Sequence, residues 1–193
     1  MEAFRRALAR FDEVHQSDPR PAPLDAGQTW SAAYHRRLSA WLERLDPEAS
    51  EALRLAGHCQ HLRRFAWPRS DYPPGRAGYK AWRVATAQKQ SEEAQAILRE
   101  AGVAEATIAR VGELLEKRGL GRDEDVQRLE DAVCLTFLET ELAGFADRHD
   151  HTTLLRVLRK TWRKMSPAGR AVALDEVQAL PARARDLVLE AVR

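Results

Sequence analysis

The sequence offers few of the features from which chemistry is read directly. It holds two cysteines in 193 residues, Cys59 and Cys134. That is too few for a disulfide scaffold or a cysteine zinc site, and it fits a reducing, cytoplasmic compartment. No apolar run exceeds a few residues, so no membrane span is expected. The opening Met1-Glu2-Ala3-Phe4-Arg5-Arg6 lacks the apolar stretch of a secretory leader. Neither sign of charge dominates: 31 Lys and Arg against 29 Asp and Glu leave +2, which neither demands nor excludes nucleic acid. Valine and isoleucine are sparse, and no alternating strand pattern or Asn-Gly hairpin occurs. Walker loop, GxSxG elbow, HExxH and dinucleotide glycine fingerprint are all missing, so no nucleotide cofactor is expected.

What is present is helical periodicity. Phe4, Leu8 and Phe11 form one stripe over residues 2–15. Pro19, Pro21 and Pro23 then force an extended connector over 16–28. Trp30, Tyr34, Leu38, Trp41 and Leu45 share a face of a second helix, 29–45. Asp46-Pro47-Glu48 is a helix start by capping, proline position and dipole, predicting a helix over 47–66. The stretch 67–78, with Pro68, Pro73, Pro74, Gly75 and Gly78, reads as an ordered loop bracketed by aromatics. Further helices are expected over 79–101, 104–118, 123–148, 152–164, from Ser166-Pro167, and over 181–192. The fold class is therefore all-α, about eight or nine helices. Residues 1–28 form an N-terminal helix and Pro-rich connector, and 29–193 a single helical domain.

Basic residues cluster. Arg63, Arg64, Arg69, Arg76, Lys80, Arg83 and Lys89 face a single acid, Asp71, within 61–90, and Arg156, Arg159, Lys160, Arg163, Lys164 and Arg170 face none within 154–170. Such runs are either solvated faces with ion pairs or two halves of an anion site. The guanidinium fork suits phosphate and carboxylate. Interleaved Trp67, Tyr72, Tyr79, Trp82 and Trp162 can stack bases or fix the arginines. His58 and His61, at i and i+3 on the expected helix, have a spacing that metal sites use, though helical histidines also occur as plain half-buried residues. His149-Asp150-His151 reads as helix capping. Glu130-Asp131 precedes the apolar Ala132-Val133-Cys134-Leu135. Carboxylates so placed must be ion-paired (Arg64, Arg83 and Lys160 being candidates), hydrogen-bonded or metal-bound. Cys59 and Cys134 are expected as small buried hydrophobes.

Six blocks in order carry a resemblance. They are Pro47–Ala56, Gln60-His61-Leu62-Arg63-Arg64, Pro68–Pro73, Gly75–Tyr79, Leu129–Leu135 and Arg159–Pro167. Over about three quarters of the chain these resemble domain-of-unknown-function family 4202, whose helical layout is similar to the HD superfamily of metal-dependent phosphohydrolases and oxygenases. The resemblance implies a divalent metal held by His61 and Asp131, with His58 as the nearest additional ligand and Glu130 and Asp131 as acid/base groups. It departs at His61, which is followed by Leu62 and not by the tandem Asp. It departs again at Gln90, where the family pattern has histidine; an amide is a poorer ligand than imidazole. The resulting expectation is an HD-like hydrolase, or a degenerate relative, acting on a phosphorylated or carboxylated small molecule held by Arg64, Arg76, Lys80, Arg83, Lys160 and Arg163. In the hydrolytic version the metal would lower the pKa of a bound water. The alternative is a non-enzymatic module binding RNA or another anion through basic loops 61–90 and 154–170. Neither version involves a membrane.

Overall fold

A computed structural model describes residues 1–193. Ten α-helices follow one another: α1 Glu2–Gln16, α2 Trp30–Leu45, α3 Glu51–Cys59, α4 Gly75–Glu100, α5 Glu105–Leu115, α6 Glu124–Thr140, α7 Leu142–Ala146, α8 His151–Lys164, α9 Pro167–Glu176 and α10 Ala182–Ala191. Three short 3₁₀ turns accompany them, and an isolated bridge between Pro21 and Thr29 is the only extended pairing. The all-α expectation holds, with one or two helices more than the count from sequence. No helix is long and apolar enough to cross a membrane.

The chain forms two compact units. The first comprises residues 1–36 and 49–118, and the second residues 37–48 and 119–193. In the first, α4 packs on α5, α3 on α5, and α1 on both α3 and α4. Phe11, Leu53, Leu55, Leu62, Leu98, Ile108 and Leu114 are fully buried there. The side chain of Arg6 donates to the carbonyl of Ala101 at 2.8 and 3.1 Å, fastening α1 to the end of α4. Asp18, in the connector, is buried and accepts from Arg20 and from the Ser31 backbone and hydroxyl. In the second unit α10 packs on α7 and α8, and α6 on α7, α8 and α9. Leu135, Leu142, Leu154, Leu158, Met165, Val177 and Val188 fill its core, with Trp41 and Leu45 against it.

Four boundaries depart from the sequence expectation, each for a physical reason. The helix expected over 47–66 starts later and stops earlier. Asp46 closes a turn onto the Glu48 amide and pairs with Arg128, leaving Ser50 to cap α3 by accepting from the Leu53 amide at 3.1 Å. The helix stops at Cys59, so His58 and His61 do not share a helix face. The loop 67–78 is shorter than expected because α4 begins at Gly75. A Cβ at Gly78 would lie 1.8 Å from the carbonyl oxygen of Pro73, so that glycine admits a close approach inside the helix. The helix expected over 123–148 breaks at Glu141. Just before it, Thr136 and Thr140 turn their hydroxyls back onto the carbonyls of Ala132 and Thr136, a competition that bends helices.

A stack of histidines sits among α1, α2 and α3. The His15 and His35 rings are parallel at 3.7 Å, and both residues are 1% exposed. Burial lowers the His35 pKa to about 4, against the opposing pull of the Ser31 and Gln60 carbonyls on its two ring nitrogens. His15 falls to about 2, chiefly by burial and then by His35. Both rings fold neutral, and the single N–H of neutral His35 donates to one of these two carbonyls at a time. Below pH 6.5 the unfolded chain takes up protons that the folded one refuses, so stability is whole above pH 6.5 and declines as pH falls towards about 4. His35 alone should cost roughly 3 kcal/mol by pH 4. Urea unfolding at pH 7 and pH 4.5 checks this: the midpoint should fall, and His15→Leu should make the fall shallower.

Candidate functional site

The site begins where α3 ends. No glycine follows Cys59, yet the chain must reverse, and it does so through left-handed backbone at His61 (φ 63°) and Arg63 (φ 49°). Such conformations cost about 1–2 kcal/mol each for non-glycine residues. Two anchors hold the turn. Leu62 is fully buried, and a ring nitrogen of His35 bonds the Gln60 carbonyl. A 3₁₀ turn, Arg64–Ala66, follows. Arg69 then pins the loop into α4 by donating to the carbonyls of Tyr72 and Pro73 at 2.8 and 2.7 Å. The Trp82 indole donates to the Trp67 carbonyl at 2.9 Å, and the Arg64 guanidinium stacks on the Trp82 ring at 4.6 Å. Here the interleaved aromatics fix the arginine.

Between this turn, α4 and the end of α5 lies a cavity of about 80 Å³. The turn contributes Gln60, His61 and Arg64. Helix α4 contributes Trp82, Arg83, Thr86 and Gln90, and the end of α5 contributes Glu116 and Lys117. Lys117 is also left-handed, at φ 57°. It, His61 and Arg63 are the chain's only non-glycine residues with positive φ; two line the cavity and the third adjoins it. Strain of this kind concentrates at functional sites.

The lining is polar where a core would be apolar. Along α4 the inward stripe runs Gly78, Trp82, Thr86, Gln90, Ala94, Leu98, each four residues on. Gln60, Thr86 and Gln90 are 3%, 3% and 5% exposed. Four buried side-chain polar atoms in the chain have no partner, and three of them line this cavity: Gln60 Oε1, Thr86 Oγ1 and Gln90 Nε2. An unsatisfied buried polar group costs about 1–3 kcal/mol.

The electrostatics favour an anion. Arg64, Arg83 and Lys117 bring three cations. The one carboxylate, Glu116, is paired with Arg118 at 2.6 Å. The His61 ring is held by Tyr34, whose hydroxyl lies 3.2 Å from Nδ1. Its pKa lies well below the usual histidine value, first through burial and then through Arg64 and Lys117, so the ring is neutral.

The remaining expected residues lie elsewhere. Arg76 and Lys80 are exposed on the first turns of α4, outside the cavity lining. His58 points to Asp12, with Nε2 2.8 Å from its carboxylate. Glu130 and Asp131 belong to the second unit. Lys164 donates to Glu130 at 2.9 Å. Asp131 accepts from the Ser166 amide at 2.8 Å, the Ser166 hydroxyl at 2.5 Å and Gln127 at 3.0 Å, and packs against Gly169. This secures the start of α9. Lys160 and Arg163 are exposed on α8. No three or more His, Cys, Asp or Glu side chains are grouped to hold a metal ion. The residues present do not form a ligand set. Cys59 and Cys134 are free and buried, and burial pushes the Cys59 thiol up.

Residues 5–188 match the profile described as Domain of unknown function (DUF4202). The chain belongs to the DUF4202 family. No curated protein and no solved structure matches it. In this DUF4202 chain, the block Gln60–Arg64 is the strained turn, and Gln90 faces the same cavity as His61. Thr86, Lys117 and Gln60 were not expected as site residues. Thr86 and Gln60 are ordinary polar residues whose burial is a tertiary fact. The signal for Lys117 was its place just before Gly119, where a helix end was expected.

If Lys117 is kept left-handed for the cavity and not for the fold, Lys117→Gly should stabilise the protein by about 1 kcal/mol while weakening anion binding. Thermal unfolding and anion titration of the same variant check both halves.

Proposed function

We propose that this chain binds a phosphorylated or carboxylated small molecule, with the anionic group seated in the cavity of the first unit. One observation carries the reading: three buried, unpartnered polar atoms, one from the turn after α3 and two from α4, converge on a cavity bordered by three cations. A fold spends stability on such groups only when something else satisfies them, whether ligand or ordered water. Arg83 supplies a guanidinium with no acidic partner, the Arg64 guanidinium is oriented by Trp82, and Thr86 and Gln90 supply neutral donors. His61, neutral and oriented by Tyr34, is the group able to accept or return a proton there. That arrangement is compatible with a hydrolytic or transferase role for a degenerate relative of HD-like enzymes. The metal-dependent version would need a second imidazole, and the residue at position 90 is glutamine.

A second reading, RNA binding, has its own support in α8. Arg156, Arg159, Lys160 and Arg163 are all exposed, at i, i+3, i+4 and i+7, and therefore share one face. No acidic partner faces them, and phosphate backbones are bound through such charges.

A thermal-shift panel of phosphorylated metabolite-sized compounds, simple carboxylates and a short RNA separates the two. The first reading expects Tm to rise with a small anion and the rise to vanish in Arg83→Gln. If only RNA shifts Tm, and Arg159→Gln removes that shift while Arg83→Gln does not, the first reading fails.

A further inference from the structure

The cavity's charge and donor count narrow the anion. Three cations, Arg64, Arg83 and Lys117, against the one carboxylate of Glu116 leave the lining at +2, and Arg118 neutralises that carboxylate from outside. A carboxylate ligand would bring −1 and only two acceptor oxygens. A phosphate monoester brings about −1.5 to −2 at pH 7 and three strong acceptor oxygens. Two of the orphaned groups, the Gln90 amide nitrogen and the Thr86 hydroxyl, can donate to such oxygens. The third, Gln60 Oε1, is an acceptor and calls for a donor on the ligand. The cavity, about 80 Å³, has room for a phosphate headgroup.

Resting on the reading above, we propose that the cavity is selective for the dianionic phosphate group of a phosphate monoester whose organic part, bearing a hydroxyl or amine that can reach Gln60, extends out of it. Selection is by charge state. The lining cations are Arg and Lys, charged throughout the neutral range. His61 is the one lining group whose ordinary range overlaps it, and burial together with Arg64, Lys117 and Arg83 keeps its ring neutral; His35, beside it, is likewise neutral. Acidification therefore leaves the site's charge unchanged and alters the ligand's.

The test is calorimetric titration of the intact chain with ethyl phosphate, sulfate and propionate at pH 7.5 and pH 5.5, in buffers free of phosphate and sulfate. At pH 7.5 ethyl phosphate should bind at least tenfold more tightly than propionate. Between pH 7.5 and 5.5 its affinity should fall about fourfold as the dianion, with a second pKa near ~6, is protonated. Sulfate, dianionic at both pH values, should change less than twofold. Arg83→Gln, at an exposed position that leaves the core intact, should weaken ethyl phosphate tenfold or more. Propionate binding as tightly as ethyl phosphate, or ethyl phosphate tightening on acidification, overturns phosphate selection and leaves the anion-binding reading standing. No binding by any of the three, or binding untouched by Arg83→Gln, overturns both.

Discussion

The cavity depends on one backbone constraint: α3 must stop at Cys59 and the chain must turn back through residues that are not glycine. The His35 ring, buried against His15, reaches the Gln60 carbonyl, and Leu62 is sunk completely into the core. These two anchors hold His61 and Arg63 in the left-handed region. The result is that the His61 imidazole and the Arg64 guanidinium line the cavity from the turn. A glycine at position 61 would be cheaper but would present no imidazole. The strain, the buried histidine stack and the orphaned polar atoms are then one design: stability is lost at several adjacent places to fix polar groups around a small space.

Helix α4 provides the opposing wall. It buries a stripe in which Thr86 and Gln90 occupy places that apolar side chains hold further along, at Ala94 and Leu98. The N-terminal half is fixed by Gly78 against Pro73 and by Trp82 against Trp67, not by a large apolar surface. Positioning by hydrogen bonds and ring stacking suits a wall that must stay polar. In the second unit, by contrast, charged groups at the α6–α9 contact are fully used in holding helices together. Asp131 is consumed by Ser166 and Gln127, and Glu130 is held by Lys164.

Much of the helical layout was legible in the sequence because it rests on local rules. The cap at Ser166 with Pro167 behind it, the apolar stripe of α1 and the starts of α2, α8 and α10 follow from periodicity and capping alone. The early end of α3 was not legible, since nothing between Gly57 and Arg64 is a helix breaker; tertiary anchors at His35 and Leu62 decide it. For the same reason the His58–His61 pairing dissolved. Arg64 and Arg83 were found through clustering of like charge, and Gln90 through its departure from the family pattern. Thr86 and Gln60 carry no signal in one sequence, because burial of a polar side chain depends on what folds over it. Glu130 and Asp131 were recognised as unusual, but the partners that occupy them sit some 35 residues away.

The central claim is that Thr86 and Gln90 are polar for a ligand's sake and not for the fold's. The direct measurement is the unfolding free energy of the ligand-free Thr86→Val/Gln90→Leu double variant against the parent chain. If the hydroxyl and the amide are unsatisfied, apolar replacements of similar shape should raise stability by about 1 kcal/mol or more, with anion binding lost. A fall of that size would mean that both groups support the fold, and the cavity would then be a structural feature and not a binding site.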